Sequence, residues 1–193
     1  MVSIMQNTAV KNVSQPKLSI KIQALATFAA VVSAVLLPQI FHAMGLVSGL
    51  GTKLGEAFLP MHLPIILVGL LAGPYAGAAA GLVSPLVSFA LSGMPGSAML
   101  PFMMIELCGY GLVAGLLKSA KMPVFGKVVV TQIAGRAVRA AAILLSFYAF
   151  DNTAVKIEVI WTSIAVGIFG IVLQWVLLPL VVYRVENLKK YEQ

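Results

Sequence analysis

Apolar runs of roughly 18 residues or more follow one another along this chain, each long enough to cross about 30 Å of hydrocarbon as a helix. The runs are continuous rather than alternating. Backbone groups in lipid must be satisfied internally, so continuous runs predict helices instead of a closed barrel. Six segments can be drawn: Leu18 to Met44, kinked at Pro38; Pro60 to Gly73, which is short; Pro74 to Leu91; Ser97 to Leu117; Val124 to Ala149; and Ile157 to Val185. Gly73-Pro74 reads as a helix end followed by a new first turn. Ser92 to Ser97 is a second break, and Gly45 to Gly55 is a glycine-rich connection. No polar stretch is long enough for a further domain. The expected architecture is an all-α integral membrane protein, a six-helix transmembrane bundle over residues 18–193 behind a cytoplasmic tail of residues 1–17.

Composition agrees. Of 193 residues, 60% are hydrophobic and 10% charged, against about 25% charged in an ordinary soluble domain. The lysines then give an orientation. With the N-terminus inside, the inner side holds Lys11, Lys17, Lys21, Lys118, Lys121, Lys127, Arg184, Lys189 and Lys190. The outer loops keep Lys53 and Lys156, with Glu56, Asp151 and Glu158. That bias predicts cytoplasmic termini in a cell membrane, and it makes the net charge of +7 a topology signal rather than a nucleic-acid patch. Trp161 and Trp175 fall near opposite ends of the last segment, as interfacial anchors would. The first 17 residues lack a signal-peptide core, so no cleavage is expected.

Three charges break the rule that charge sits at segment ends. Glu106, Arg136 and Arg139 lie deep in the fourth and fifth segments. A bare charge near a bilayer centre costs at least ~2.5 kcal/mol, so each should face a partner or a wet cavity. Counted at 1.5 Å per residue, Glu106 lies about 14 Å below the start of its segment, Arg136 about 18 Å and Arg139 about 22 Å above theirs. Glu106 and Arg136 then share a level, with Arg139 one turn nearer the outside. Gln132, Arg136 and Arg139 form one stripe at i, i+4, i+7, and Tyr110 lies a turn from Glu106 on the same face. Glu106 and Arg136 read either as a structural ion pair or as ligand contacts. Arg139, without an obvious partner, reads as a ligand contact.

Other chemistries fare worse. Gly126-Lys127-Val128 lacks the rest of a P-loop, so any ATP must be held by another subunit. Asp151 is the one aspartate, no Gly-x-Ser-x-Gly elbow occurs, and a catalytic pairing of His62 with Ser84 or Ser88 competes with ordinary serine packing. Cys108 is a single cysteine, which suits an inert packing residue. No metal set or cofactor motif stands out. Small residues recur at four-residue spacing: Ala26, Ala30 and Ala34 on the first segment, Gly69 to Gly81 on the second and third, and Gly111 with Gly115. Such stripes let helices approach closely. On the first helix the stripe could instead be a docking face for another membrane subunit.

These features together resemble the substrate-binding S-components of energy-coupling factor (ECF) vitamin transporters. The resemblance rests on six helices in about 190 residues, on the alanine stripe, and on three longer runs. The runs are Phe58-Leu59-Pro60-Met61-His62-Leu63-Pro64, Leu71-Ala72-Gly73-Pro74-Tyr75-Ala76-Gly77, and Leu91-Ser92-Gly93-Met94-Pro95 with Met99-Leu100-Pro101. They are similar to a branch handling pantothenate, folate, pyridoxine-like and pyrimidine-like compounds. What the resemblance implies is a prokaryotic importer subunit, not an enzyme. It would capture a vitamin from outside and deliver it through a transmembrane coupling subunit and two cytoplasmic ATPases. The coupling subunit would dock on Ala26, Ala30 and Ala34. Arg139, Glu106 and Arg136, with Tyr110, His62, Trp161 and Gln132, would line the substrate site. The spare positive charge favours an anionic vitamin, pantothenate ahead of folate. A secondary carrier, a channel or an intramembrane enzyme is the alternative; no internal repeat supports the first two.

Overall fold

The computed structural model describes residues 18–191, with the side chains of residues 189–191 excepted. The expected tail of residues 1–17, with Lys11 and Lys17, lies outside the described residues, as do the Lys189 and Lys190 side chains.

The described chain is predominantly helical, and no strand occurs among the described residues. Helix α1 spans Ile20–Val47 and contains Pro38; the Ser19 Oγ caps it by accepting from the Ile22 N–H at 3.4 Å. Helices α2 (Lys53–Phe58) and α3 (His62–Ala72) together make one membrane-length span. Then come α4 (Pro74–Ser92), α5 (Leu100–Leu116, continued by a 3-10 turn at Leu117–Ser119), α6 (Val124–Phe150), α7 (Val159–Val166) and α8 (Ile168–Tyr191). Six spans are long and apolar enough to cross a bilayer, as the hydrophobic pattern predicts.

Two interruptions depart from that pattern. The glycine-rich connection after α1 holds a helix of its own, α2, and the chain turns sharply before α3. Leu59 there is left-handed, at φ 48° and ψ 48°. Pro60 follows it, and a proline ring disfavours the right-handed helical conformation in the residue before it, so α2 ends there. The sixth segment also divides, at Gly167, into α7 and α8. An added Cβ on Gly167 would come within 2.8 Å of the Leu59 side chain, and one on Gly170 would strike the Phe58 carbonyl. Glycine here admits the α2–α3 break against α8. An unbroken apolar run conceals both features.

The centre of the bundle is α4 against α5. A Cβ on Gly77 would collide with the Gly111 carbonyl, one on Gly81 with the Leu107 carbonyl, and one on Gly115 with the backbone of Pro74. These helices touch backbone to backbone, which yields dispersion and close dipole contact where lipid offers no hydrophobic drive. Helix α1 lies on α3 and α4. Ala34 is fully buried and Ala30 nearly so, both in the main apolar core, and Ala26 packs against it. The stripe of Ala26, Ala30 and Ala34 thus packs largely against the chain's own helices. The open side of α1 presents Leu25, Phe28, Val32 and Leu36 instead. Cys108, expected buried, is half-buried on α5.

Packing this tight has a measurable signature. Gly111→Val should cost at least the ~1–3 kcal/mol of an overpacked core, seen as a lower unfolding temperature in detergent, while Gly96→Ala, with open space around it, should not. Ala34→Leu should destabilise likewise, and Ala29→Leu on the exposed side of α1 should not. Equal stability of Ala34→Leu and wild type would return the stripe to an external role.

Candidate functional site

At one end of the bundle, helices α1 to α7 surround a cavity of about 420 Å³, α4 contributing Ser88. Loop residues Met94, Pro95 and Gly96 overhang it, and Gly55, Glu56 and Leu59 of the α2 segment form another part of the rim. The Met94-Pro95 peptide is cis. Pro38 and His42 of α1 complete the wall, with Thr162 and Ser163 of α7 opposite.

The polar floor is organised by Glu106, which is 1% exposed. Its Oε2 accepts from Arg139 Nη1 at 2.9 Å. Its Oε1 accepts from the Tyr110 hydroxyl at 2.9 Å, with His62 Nε2 at 4.0 Å. Helix geometry explains the first donor: Tyr110 follows Glu106 by four residues and so rises from the same face. The Tyr110 ring lies where a Cβ on Gly135 of α6 would stand, so glycine at 135 admits it. His62, the first residue of α3, tilts against Tyr110 with ring centroids 5.3 Å apart. Each carboxylate oxygen thus has one hydrogen-bond donor from the protein itself.

Arg139 is less well supplied. Beyond its bond to Glu106, Nη2 touches only the thioether of Met99, at 3.9 Å, and Nε is buried with no partner. A thioether is a weak acceptor, whereas a guanidinium offers five donors. Strong donors are therefore left over at the cavity.

This pairing differs from the one the sequence predicts. Glu106 meets Arg139, not Arg136. The cause is where α5 begins: at Leu100, three residues later than the predicted Ser97. Glu106 then lies only about 9 Å into its helix, roughly 4.5 Å nearer the cavity end than reckoned, which is the rise from Arg136 to Arg139. Arg136 has no hydrogen bond or ion pair among the described residues and borders a separate crevice behind the pair.

The remaining predicted residues divide. His62 joins Glu106 and Arg139 on the cavity lining; Tyr110 stands just beneath it. Gln132 does not reach the cavity. Its Nε2 donates to Gln174 Oε1 at 2.8 Å, and its Oε1 accepts from Trp175 Nε1 at 2.7 Å. Trp161 is 71% exposed and is not among the cavity-lining residues. Trp175, read as an interfacial anchor, spends its N–H inside the bundle. The sequence reading missed Met61, Met94, Met99 and Met103, four methionines on the lining. Their signal was available as two clusters, in the Leu59–Leu63 run and around the Ser92–Ser97 break. Among the described residues no three His, Cys, Asp or Glu side chains converge as metal ligands.

Comparison with curated proteins gives no match, and comparison with solved structures gives none. A family model does match, over residues 24–182: the substrate-specific component of ECF transporters. That span takes in all or most of each of the six membrane-length spans and every residue of the cavity lining. The chain therefore belongs to the substrate-specific components of ECF transporters and is a transporter subunit rather than an enzyme.

Proposed function

We propose that this subunit captures a compact, water-soluble, acidic vitamin from outside the cell, with pantothenate the favoured ligand. Membership of the family makes it the substrate-binding part of an importer that works with ECF coupling and ATPase subunits. The finer reading rests on Arg139. Its Nε and Nη2 face no good acceptor, although the residue lies in a buried, largely apolar site. Such a fork suits a planar carboxylate, which can accept two parallel N–H bonds. An incoming carboxylate would displace the Met99 thioether at little cost. Glu106 holds the guanidinium in place, and His62 offers its Nδ1, buried and unpartnered, to a ligand hydroxyl.

Size points the same way. About 420 Å³ is near the lower end of the ~300–1,000 Å³ usual for ligand pockets, which favours pantothenate over the longer folate. The four methionines supply soft walls that adapt to an aliphatic ligand. The lysine asymmetry supports an outward-facing cavity with both termini in the cytoplasm.

Calorimetry of the detergent-solubilised protein tests the assignment against pantothenate, folate, pyridoxine and a hydroxymethylpyrimidine. Arg139→Ala should weaken pantothenate binding by about 1.5–3 kcal/mol, the worth of a charged hydrogen bond, or roughly ten- to hundredfold. Arg139→Lys keeps a charge beside Glu106 but loses the fork, so it should fold normally and still lose affinity. Tight binding of a neutral vitamin, unchanged in both variants, would sink the carboxylate reading. Orientation is tested separately by single-cysteine labelling on a Cys108→Ser background. Positions near Asn152 should react with a membrane-impermeant reagent applied outside, and positions near Lys121 should not.

A further inference from the structure

Arg136, half-buried on α6, is the member of the charged cluster that the vitamin site does not use. It lies twelve residues from the start of α6 and fourteen from its end, roughly 18 and 21 Å along the helix. That is too deep for its side chain to reach either headgroup layer. Its Nε is buried without a partner, and no described residue gives it a hydrogen bond or an ion pair. A cation at such depth in apolar surroundings calls for a counter-charge. Glu106 does not serve, because Arg139 and Tyr110 already occupy its oxygens.

Beside Arg136 is a crevice of about 20 Å³, lined by Glu106, Arg136, Arg139, Ala140, Ile160, Ser163 and Ile164. A single small particle needs at least ~10–15 Å³ measured this way, so the crevice takes one and excludes polyatomic ligands. Two guanidinium groups face one carboxylate there, leaving one positive charge. The Ser163 hydroxyl makes only a long 3.3 Å bond to the Ile160 carbonyl and is available to turn inward. Isoleucine and alanine walls lower the local dielectric and strengthen any attraction within. A water molecule would satisfy the Nε–H but leave the charge unbalanced.

We propose that this crevice is a monatomic-anion site, in which Arg136, Arg139 and Ser163 hold one halide ion when the vitamin is absent. The excess is a single charge, so a halide or the vitamin's carboxylate balances it, but not both. The halide site stands on its own geometry; its competition with the ligand rests on the carboxylate reading above.

The experiment separates the two. Thermal unfolding of the purified protein without vitamin is followed in sodium chloride, sodium bromide and sodium methanesulfonate at equal ionic strength. The wild type should melt higher in chloride and bromide than in methanesulfonate, which is polyatomic and carries no carboxylate. Arg136→Gln and Ser163→Ala should each lose or shrink that difference; Ser163→Ala serves if Arg136→Gln folds poorly. Pantothenate affinity, measured next, should fall roughly tenfold when chloride stands at about ten times its own dissociation constant, as for any one-site competitor. No halide-dependent stabilisation of the wild type, or one that persists in both variants, overturns the site. A halide effect that depends on these residues, in a protein that binds no acidic vitamin, upholds the site and rejects the carboxylate reading.

Discussion

A carboxylate buried at 1% exposure inside a lipid-facing bundle dictates much of what surrounds it. Desolvating Glu106 costs several kcal/mol unless its lone pairs are filled and its charge is met. Two side chains supply this, Arg139 from α6 and Tyr110 from α5 itself, and His62 at the start of α3 packs close by, its Nε2 4.0 Å from the carboxylate. Each needs its helix at a fixed distance and rotation. Gly135 lets Tyr110 lie flat between α5 and α6, and the glycine contacts of α4 with α5 fix α5 from the other side. The small residues are therefore part of the electrostatics as well as of the packing.

The same end of the bundle is shaped by two broken helices. The break at Leu59 swings α2 over the cavity, and the division at Gly167 places α7 across from it. A break in a membrane helix frees backbone groups that lipid cannot satisfy. Here the Leu59 carbonyl accepts from Gln174 Nε2 at 3.4 Å, and Gln174 is itself held by Gln132, which Trp175 holds in turn. The intramembrane polar chain of α6 and α8 supports the rim without touching the cavity.

How much of this could be read from the residues differs by length scale. Continuous apolar runs are a strong signal for spans, and Gly73-Pro74 marked a boundary that the structure keeps. The Glu106 and Arg139 pairing was beyond reach because it turns on where α5 starts, and a three-residue error there equals one helical turn. Gln132 was placed correctly on a polar stripe, yet the stripe twists past the cavity and its first member meets α8. The alanine stripe of α1 was visible, but spacing alone says that small residues approach something, not what. Position along a chain gives the spans well, but depth to within a turn, and azimuth, poorly.

The methionines suggest how a scaffold like this could diversify. Unbranched thioether side chains repack around a new shape without moving a helix. The polar floor, by contrast, is locked by bonds between α5 and α6, with the His62 ring of α3 packed against it. Ligand preference in such a cavity is then set by few positions, chiefly the guanidinium fork and the imidazole. A change at either alters chemistry while the pliable walls absorb the change in outline, so new cargo needs no new fold.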